Sequence, residues 1–202
     1  RCHWLLTADV AAACHQAFTA LPEGEPPAGG WPVLVFAHGM TGGGEELDEA
    51  YPQTWEVASW GFIVLAPASC QPFYCTTFYR DVWETLVYAR ERQGDLDPVL
   101  AYANWQTPAG LFGVSMGGDA VVQAVRNFWQ GGWCRERCLA GVIIQAGSMG
   151  VSDPPLAGCS EWPTALPVAL QYGTLDPLTA TTGAPCAERI DAATTAVYTN
   201  MV

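Results

Sequence analysis

The chain has 202 residues and a mass of 21.6 kDa; half of its residues are apolar and only 14% are charged. This composition suits one globular domain with a sizeable core and excludes a disordered chain. Eight Lys and Arg against 20 Asp and Glu give a net charge of −12, which disfavours nucleic acid and anionic membrane surfaces as partners. No apolar run approaches the roughly 20 residues of a spanning helix, so we expect a soluble chain.

Eight cysteines are a high and even count for this length. Zinc clusters favour Cys-x2-Cys pairs or nearby histidines, whereas the spacings here are Cys70-x4-Cys75 and Cys134-x3-Cys138. Reduced thiols are the alternative, but we expect disulfides and an extracytoplasmic, secreted or otherwise oxidising location. Pairing of sequence neighbours is one of about 105 schemes, and it joins Cys2 to Cys14, Cys70 to Cys75, Cys134 to Cys138 and Cys159 to Cys186. The Cys134–Cys138 pair is sterically doubtful if both lie on one regular helix.

Short apolar runs alternate with helical patterns along the chain. Residues 1–30 are predicted to be an irregular amino-terminal segment with a short helical piece over 10–18, ended by Pro22. Strands are predicted at 33–37, 62–66, 110–114, 139–146, 168–172 and 195–202, and helices at about 79–93 and 115–130. Wholly apolar strands between helices indicate an α/β fold over 1–202, a single three-layer sandwich with a mostly parallel central sheet. Ligands bind such folds beyond the carboxyl ends of the strands.

One strand-to-helix junction carries the pattern of a nucleophilic serine. Gly113-Val-Ser115-Met-Gly117 matches G-x-S-x-G, between an apolar strand and a helix. Small residues allow a sharp turn there, and backbone N–H groups at the helix start can stabilise an oxyanion. The alternative is a glycine-rich turn with an incidental serine. We predict that Ser115 is a nucleophile.

The loop after the first apolar strand, residues 38–42, is predicted to complete the oxyanion hole. Its position in the chain makes the backbone amide of Met40 one donor, and the amide of Met116 follows the nucleophile as the other. Both methionine side chains could also line an acyl pocket. The alternative is a plain glycine-rich turn.

Asp176 is a candidate acid in a Gly-Thr-Leu-Asp-Pro turn after the 168–172 strand. A carboxylate there could fix the tautomer of a histidine and stabilise its imidazolium. An ordinary Asx turn before a proline is the alternative. Asp153, after the preceding strand, is the second candidate for this role.

Four segments in this order resemble the α/β-hydrolases: AHGMTGG, ASWGFIVLAPAS, LFGVSMGG and LQYGTLDP. The resemblance is narrower to the dienelactone-hydrolase, chlorophyllase and polyester-hydrolase (cutinase-like) branch, and it covers roughly residues 31–180. It implies a serine esterase without a cofactor. By this resemblance Ser115 is the nucleophile, Asp176 the triad acid, and Met40 and Met116 supply the oxyanion amides.

The general base that a catalytic serine needs is missing from the expected place. The order in this fold is serine, acid, then histidine, but His3, His15 and His38 all precede Ser115. None of the three is expected to be the base. Residues 195–202 look like the strand that such a histidine follows, and the usual opening strands are not recognisable either. We therefore expect a chain truncated before its histidine and incomplete at both ends.

Two functions of different classes remain open from the sequence. One is a serine hydrolase of small or polymeric esters, with Phe73, Tyr74, Trp105 and Trp162 as candidate walls of an apolar site. The other is a catalytically inactive, hydrolase-like structural or binding subunit, since a fold does not by itself imply activity. Membership of a larger assembly is compatible with both. Reaction of Ser115 with a fluorophosphonate separates them.

Overall fold

The computed structural model describes residues 3–6, 16–40, 51–68, 75–92, 98–128, 138–145, 166–173 and 197–201. The strands in these segments are β1 (His3–Leu6), β2 (Gln16–Ala20), β3 (Val33–Ala37), β4 (Ile63–Pro67), β5 (Ala109–Val114), β6 (Leu139–Gln145), β7 (Val168–Gly173) and β8 (Val197–Met201). The helices are α1 (Gln53–Ser59), α2 (Phe78–Arg92) and α3 (Met116–Phe128), with a 3₁₀ helix at Pro98–Tyr102. No helix in the described segments is long and apolar enough to cross a membrane.

All of these strands belong to one sheet, in the order β1-β2-β4-β3-β5-β6-β7-β8. The pairings from β4 to β8 are parallel, and only the β1–β2 and β2–β4 pairings are antiparallel. This confirms the mostly parallel sheet. The last residue of β3, Ala37, pairs with Gly113, and Val114 pairs with Gln145 of β6. The loops after β3, β5 and β6 therefore leave the sheet side by side.

Helices cover both faces of the sheet. Alternate residues of β3 point to opposite sides, and all five are buried. Val33, Val35 and Ala37 lie in the core cluster that contains α2 and α3, whereas Leu34 and Phe36 lie in a second cluster beneath α1. A strand covered on both faces has no side exposed to water, which explains its continuous apolar sequence. The three-layer sandwich is confirmed.

The prediction for the amino-terminal segment is wrong where the structure describes it. Residues 16–20 form strand β2 instead of continuing a helix, and residues 3–6 form β1 instead of irregular chain. The opening strands that the sequence did not reveal are thus present. The alanine-rich stretch favours a helix locally, but β2 pairs with the edge of β4, from Ala17 opposite Pro67 to Ala20 opposite Val64. Tertiary pairing overrides a weak local preference.

Candidate active site

Ser115 lies at the turn between β5 and α3 with a backbone φ of 54°. It is the one non-glycine residue with positive φ in the described segments. This left-handed conformation costs a residue with a Cβ about 1–2 kcal/mol. Hydrogen bonds hold it on both sides: the Ser115 N–H donates to the Gln145 carbonyl at 2.9 Å, and its carbonyl accepts from Gly118 N–H at 2.9 Å and Asp119 N–H at 3.3 Å. Sheet and helix together impose the strained turn.

The two glycines of the motif are required by packing. A Cβ on Gly117 would overlap the carbonyl oxygen of Ala37 and lie 2.7 Å from the carbonyl oxygen of His38. A Cβ on Gly113 would overlap the carbonyl oxygen of Gly117. The first turn of α3 therefore rests directly on the backbone that follows β3. This close approach brings the serine turn and the predicted oxyanion loop together.

Gly39 is the point at which that loop meets Ser115. A Cβ built on Gly39 would be 3.4 Å from Ser115 Cβ and 2.5 Å from the hydroxyl oxygen of Tyr51. The Gly39 N–H donates to this hydroxyl oxygen at 2.7 Å. The backbone N–H groups of Met40 and Met116, in contrast, have no acceptor within the described part of the chain. Two unused donors thus flank Ser115, as an oxyanion hole requires.

The side chains of the two methionines differ in their surroundings. Met40 is 49% exposed, while Met116 is the first residue of α3 and is only 4% exposed. Since the proposed role belongs to the backbone amides, this difference does not affect it.

The described histidines do not offer a base to Ser115. His38 is fully buried; its Nδ1–H donates to the Gly39 carbonyl at 2.6 Å, and its ring centroid is 4.6 Å from that of Phe78. Its ring therefore shapes the loop, in line with the expectation that His38 is not the base. His3 lies on β1, four strands from β5, which is roughly 19 Å away. His15 lies outside the described residues.

Asp176 and Asp153 also lie outside the described residues, so their roles stay predictions. The structure does place the strand before Asp176: β7 ends at Gly173 and pairs with β6, the neighbour of β5. β7 thus ends at the same edge of the sheet as β5, the strand that precedes Ser115.

Of the four aromatic residues suggested as pocket walls, only Trp105 is described. It lies before the amino end of β5, so it is at the opposite edge of the sheet from Ser115. Trp105 is 9% exposed and donates its indole N–H to the Leu100 carbonyl at 3.1 Å. The prediction that it lines the substrate site is wrong, because it is a core residue. Phe73, Tyr74 and Trp162 lie outside the described residues.

Tyr51 is the site residue that sequence reasoning missed. No motif marks it, since it stands beyond the glycine-rich loop and just before α1. Only the folded chain brings its hydroxyl to Gly39 and Ser115. No group of three or more His, Cys, Asp or Glu able to hold a metal ion occurs in the described part of the chain.

No protein-family model and no curated protein sequence matches this chain. Solved structures do match. A butyrate-bound esterase of Thermogutta terrifontis superposes with a TM-score of 0.70 at 14% identity, covering 98% of this chain and 82% of that one. The chain has the α/β-hydrolase fold.

Two further structures with the α/β-hydrolase fold are similar over nearly the whole chain. A candidate dienelactone hydrolase from Klebsiella pneumoniae has a TM-score of 0.65 at 14% identity, covering 100% of this chain and 85% of that one. Brefeldin A esterase, a bacterial homologue of human hormone-sensitive lipase, has a TM-score of 0.68 at 15% identity, covering 98% and 67%. The likeness confirms the expected fold.

The backbone strain at Ser115 has a measurable consequence. Replacing Ser115 by glycine removes the Cβ that disfavours positive φ, whereas replacing it by alanine keeps the Cβ. We expect Ser115→Gly to be more stable than Ser115→Ala by about 1 kcal/mol in urea unfolding. At Ser59, in the last turn of α1, the order should reverse because glycine weakens a helix. Equal stability of the two Ser115 variants contradicts the strain argument.

Proposed function

We propose that this chain is a serine hydrolase that cleaves carboxylic esters through an acyl-enzyme on Ser115. The observation that carries the proposal is the strained Ser115 turn, set against a loop with unused backbone N–H groups at Met40 and Met116. The fold alone does not imply activity, because the same scaffold hosts unrelated functions. A turn held in a costly conformation beside two free donors is the arrangement that acyl transfer needs.

The proposed reaction has two halves. Ser115 Oγ attacks the ester carbonyl carbon while its proton passes to the base, and the carbonyl electrons move onto the oxygen. The amides of Met40 and Met116 donate to this oxyanion. Collapse of the intermediate breaks the bond to the alcohol, which leaves with the proton from the base. Water then repeats the sequence on the acyl-enzyme and releases the acid.

We assign the triad acid to Asp176 and the base to a histidine that follows β8, outside the 202 residues. The sheet supports this assignment, since β8 is parallel to β7 and Met201 pairs with Gly173. A residue after β8 would therefore leave the sheet beside the end of β7, three residues before Asp176 in the sequence. The order serine, acid, histidine would then be that of the α/β-hydrolases.

A structurally similar protein undergoes the reaction that we propose as a test. Esterase 2 of Thermogutta terrifontis is described as phosphorylated by paraoxon, with a TM-score of 0.67 at 14% identity, covering 99% of this chain and 82% of that one. We propose the corresponding chemistry for Ser115, with an apolar or aromatic ester as the natural substrate.

We also propose an extracytoplasmic location. Cys75 and Cys138 are disulfide-bonded in the structure, and such bonds persist in oxidising compartments. The pairings of Cys75 with Cys70 and of Cys138 with Cys134 stay predictions, because Cys70 and Cys134 lie outside the described residues.

Labelling of the native protein with a fluorophosphonate tests the function. We expect one adduct, on the peptide that contains Ser115, and the same peptide map should show a histidine after β8. The heat-denatured protein and the Ser115→Ala variant serve as controls and should stay unlabelled, because an unactivated serine is a weak nucleophile. A folded native protein that stays unlabelled overturns the proposal in favour of an inactive hydrolase-like subunit.

A further inference from the structure

Tyr51 brings a phenol to the edge of the nucleophile's turn. A single point, the position of a Cβ on Gly39, is 2.5 Å from the Tyr51 hydroxyl oxygen and 3.4 Å from Ser115 Cβ. The phenol oxygen and Ser115 Cβ are therefore no farther apart than the sum of these two distances. A side chain at Gly39 would collide with the phenol oxygen, so this approach requires glycine.

The backbone, the ring and the hydroxyl of Tyr51 each have a contact that holds them in place. The Tyr51 carbonyl accepts hydrogen bonds from the Thr54 N–H at 3.0 Å and the Thr54 hydroxyl at 2.9 Å, and Thr54 is buried. The ring packs at 5.3 Å from the ring of Phe36 in β3, tilted by 56°. At the far end, Gly39 holds the hydroxyl oxygen. A polar group held this firmly reorganises little when charge develops nearby, which is the condition for electrostatic catalysis.

The hydrogen bonds of this hydroxyl leave its proton unused. A phenol donates one hydrogen bond and also accepts. Here the oxygen accepts from the Gly39 N–H, and no described residue accepts the Tyr51 O–H. Burial raises the pKa of Tyr51, and the hydrogen bond from Gly39 lowers it by less. The group therefore stays protonated at neutral pH and can donate.

The hydrogen bond between Gly39 and Tyr51 also occupies one backbone N–H that could otherwise donate to the oxyanion. Because the Gly39 N–H is engaged by Tyr51, the donors left to the loop are the Met40 amide and the Tyr51 O–H itself. A backbone donor is thus exchanged for a side-chain donor at the same place.

We propose that Tyr51 is a catalytic residue whose O–H donates a hydrogen bond to the oxyanion formed on Ser115. It acts as a third donor, beside the amides of Met40 and Met116. This inference rests on the proposed ester hydrolysis and adds a side chain to an oxyanion hole otherwise built from backbone. No bond to Tyr51 forms or breaks, and its proton stays on the phenol.

The competing role is a purely structural one, in which the hydroxyl only accepts from Gly39 and positions the loop. Fluorination separates the two roles because it makes a phenol a stronger donor and a weaker acceptor. We would replace Tyr51 by phenylalanine and by 3-fluorotyrosine in the complete protein. The readouts are the second-order rate constant for fluorophosphonate labelling and the kcat and KM for a p-nitrophenyl ester. Measurements are made at a pH at which the fluorophenol stays protonated.

We expect Tyr51→Phe to lower kcat by about 10²-fold with little change in KM, as for loss of an oxyanion donor. The 3-fluorotyrosine variant should exceed the wild type in both kcat and labelling rate. The same two changes at Tyr102, exposed at the opposite edge of the sheet, should have no effect.

Three results overturn the inference. A 3-fluorotyrosine protein that is slower than the wild type, in parallel with Tyr51→Phe, means that the hydroxyl only positions Gly39. A Tyr51→Phe protein that labels at the wild-type rate removes any role for the phenol. In both cases the wild type still labels, so the proposed function stands, whereas an inert wild type overturns both proposals. If Tyr51→Phe fails to fold, the nearly isosteric fluorotyrosine variant decides alone.

Discussion

Replacing Ser115 by alanine should lower kcat for a p-nitrophenyl ester by on the order of 10⁶-fold, the effect known for loss of a serine nucleophile. In the proposed mechanism the loss is this large because the acyl-enzyme forms on Ser115, and without it only the donors and the binding site remain to assist water. The stability of the protein should change little, since alanine keeps the strained backbone of a residue with a Cβ. Steady-state kinetics on the complete native protein measure the effect.

Ser59 offers the matched control. It lies at the exposed end of α1, where its hydroxyl donates to the Glu56 carbonyl at 2.7 Å. Ser59→Ala should retain wild-type kcat. If Ser115→Ala keeps more than a few per cent of the activity, hydrolysis does not proceed through an acyl-enzyme on Ser115.

Replacing Gly117 by alanine should destabilise the fold by about 3 kcal/mol, the upper part of the range for overpacking. The added methyl group meets the backbone carbonyls of Ala37 and His38, which cannot turn away as a flexible side chain could. In a chain of this size the shift in Tm is about 6–12 °C. Activity should fall at least about 10²-fold, because the Ser115 turn must move away from the oxyanion loop to make room.

Gly110, in the same strand as the nucleophile turn, is the control for this prediction. A Cβ on Gly110 would make only ordinary contacts, 3.5 Å to Leu34 Cδ1, 3.7 Å to Leu34 Cγ and 3.9 Å to the Gly141 carbonyl oxygen. Gly110→Ala should therefore change the free energy of unfolding by no more than about 1 kcal/mol. Equal Tm values for the two variants would show that the turn of α3 can separate from β3 at little cost.

Most of the fold could be read from the sequence because the central strands β3 and β4 are apolar and buried along their whole length. Such a strand must be buried on both faces, and this demand fixes both the parallel sheet and the helices that cover it. The predicted strands at 33–37 and 110–114 agree with β3 and β5 to within one residue. The amino-terminal strands could not be read in this way. The alanines near β2 favour a helix, and the edge of β4, more than 40 residues away, overrules them.

The prediction that Ser115 is catalytic depended on a local signal, the spacing of Gly113, Ser115 and Gly117. The structure supplies the reason for that spacing: each glycine is packed against backbone, and the serine is held in a left-handed conformation. The aromatic residue Trp105 shows the limit of the same approach. Its hydrophobicity was compatible with a substrate wall or with the core, and only its place before β5 decides for the core.

The sequence by itself determined the fold class, the nucleophile candidate and the loop expected to face it, because these depend on hydrophobic patterns and on short spacings within one turn. Tertiary structure alone decided that Gly39 meets Ser115, that Trp105 is far from the site, and that Tyr51 joins it. The physical reason is that parallel pairing brings together the ends of strands that are far apart in the chain. The sequence around Tyr51 contains no local pattern that predicts which strand end its side chain will reach.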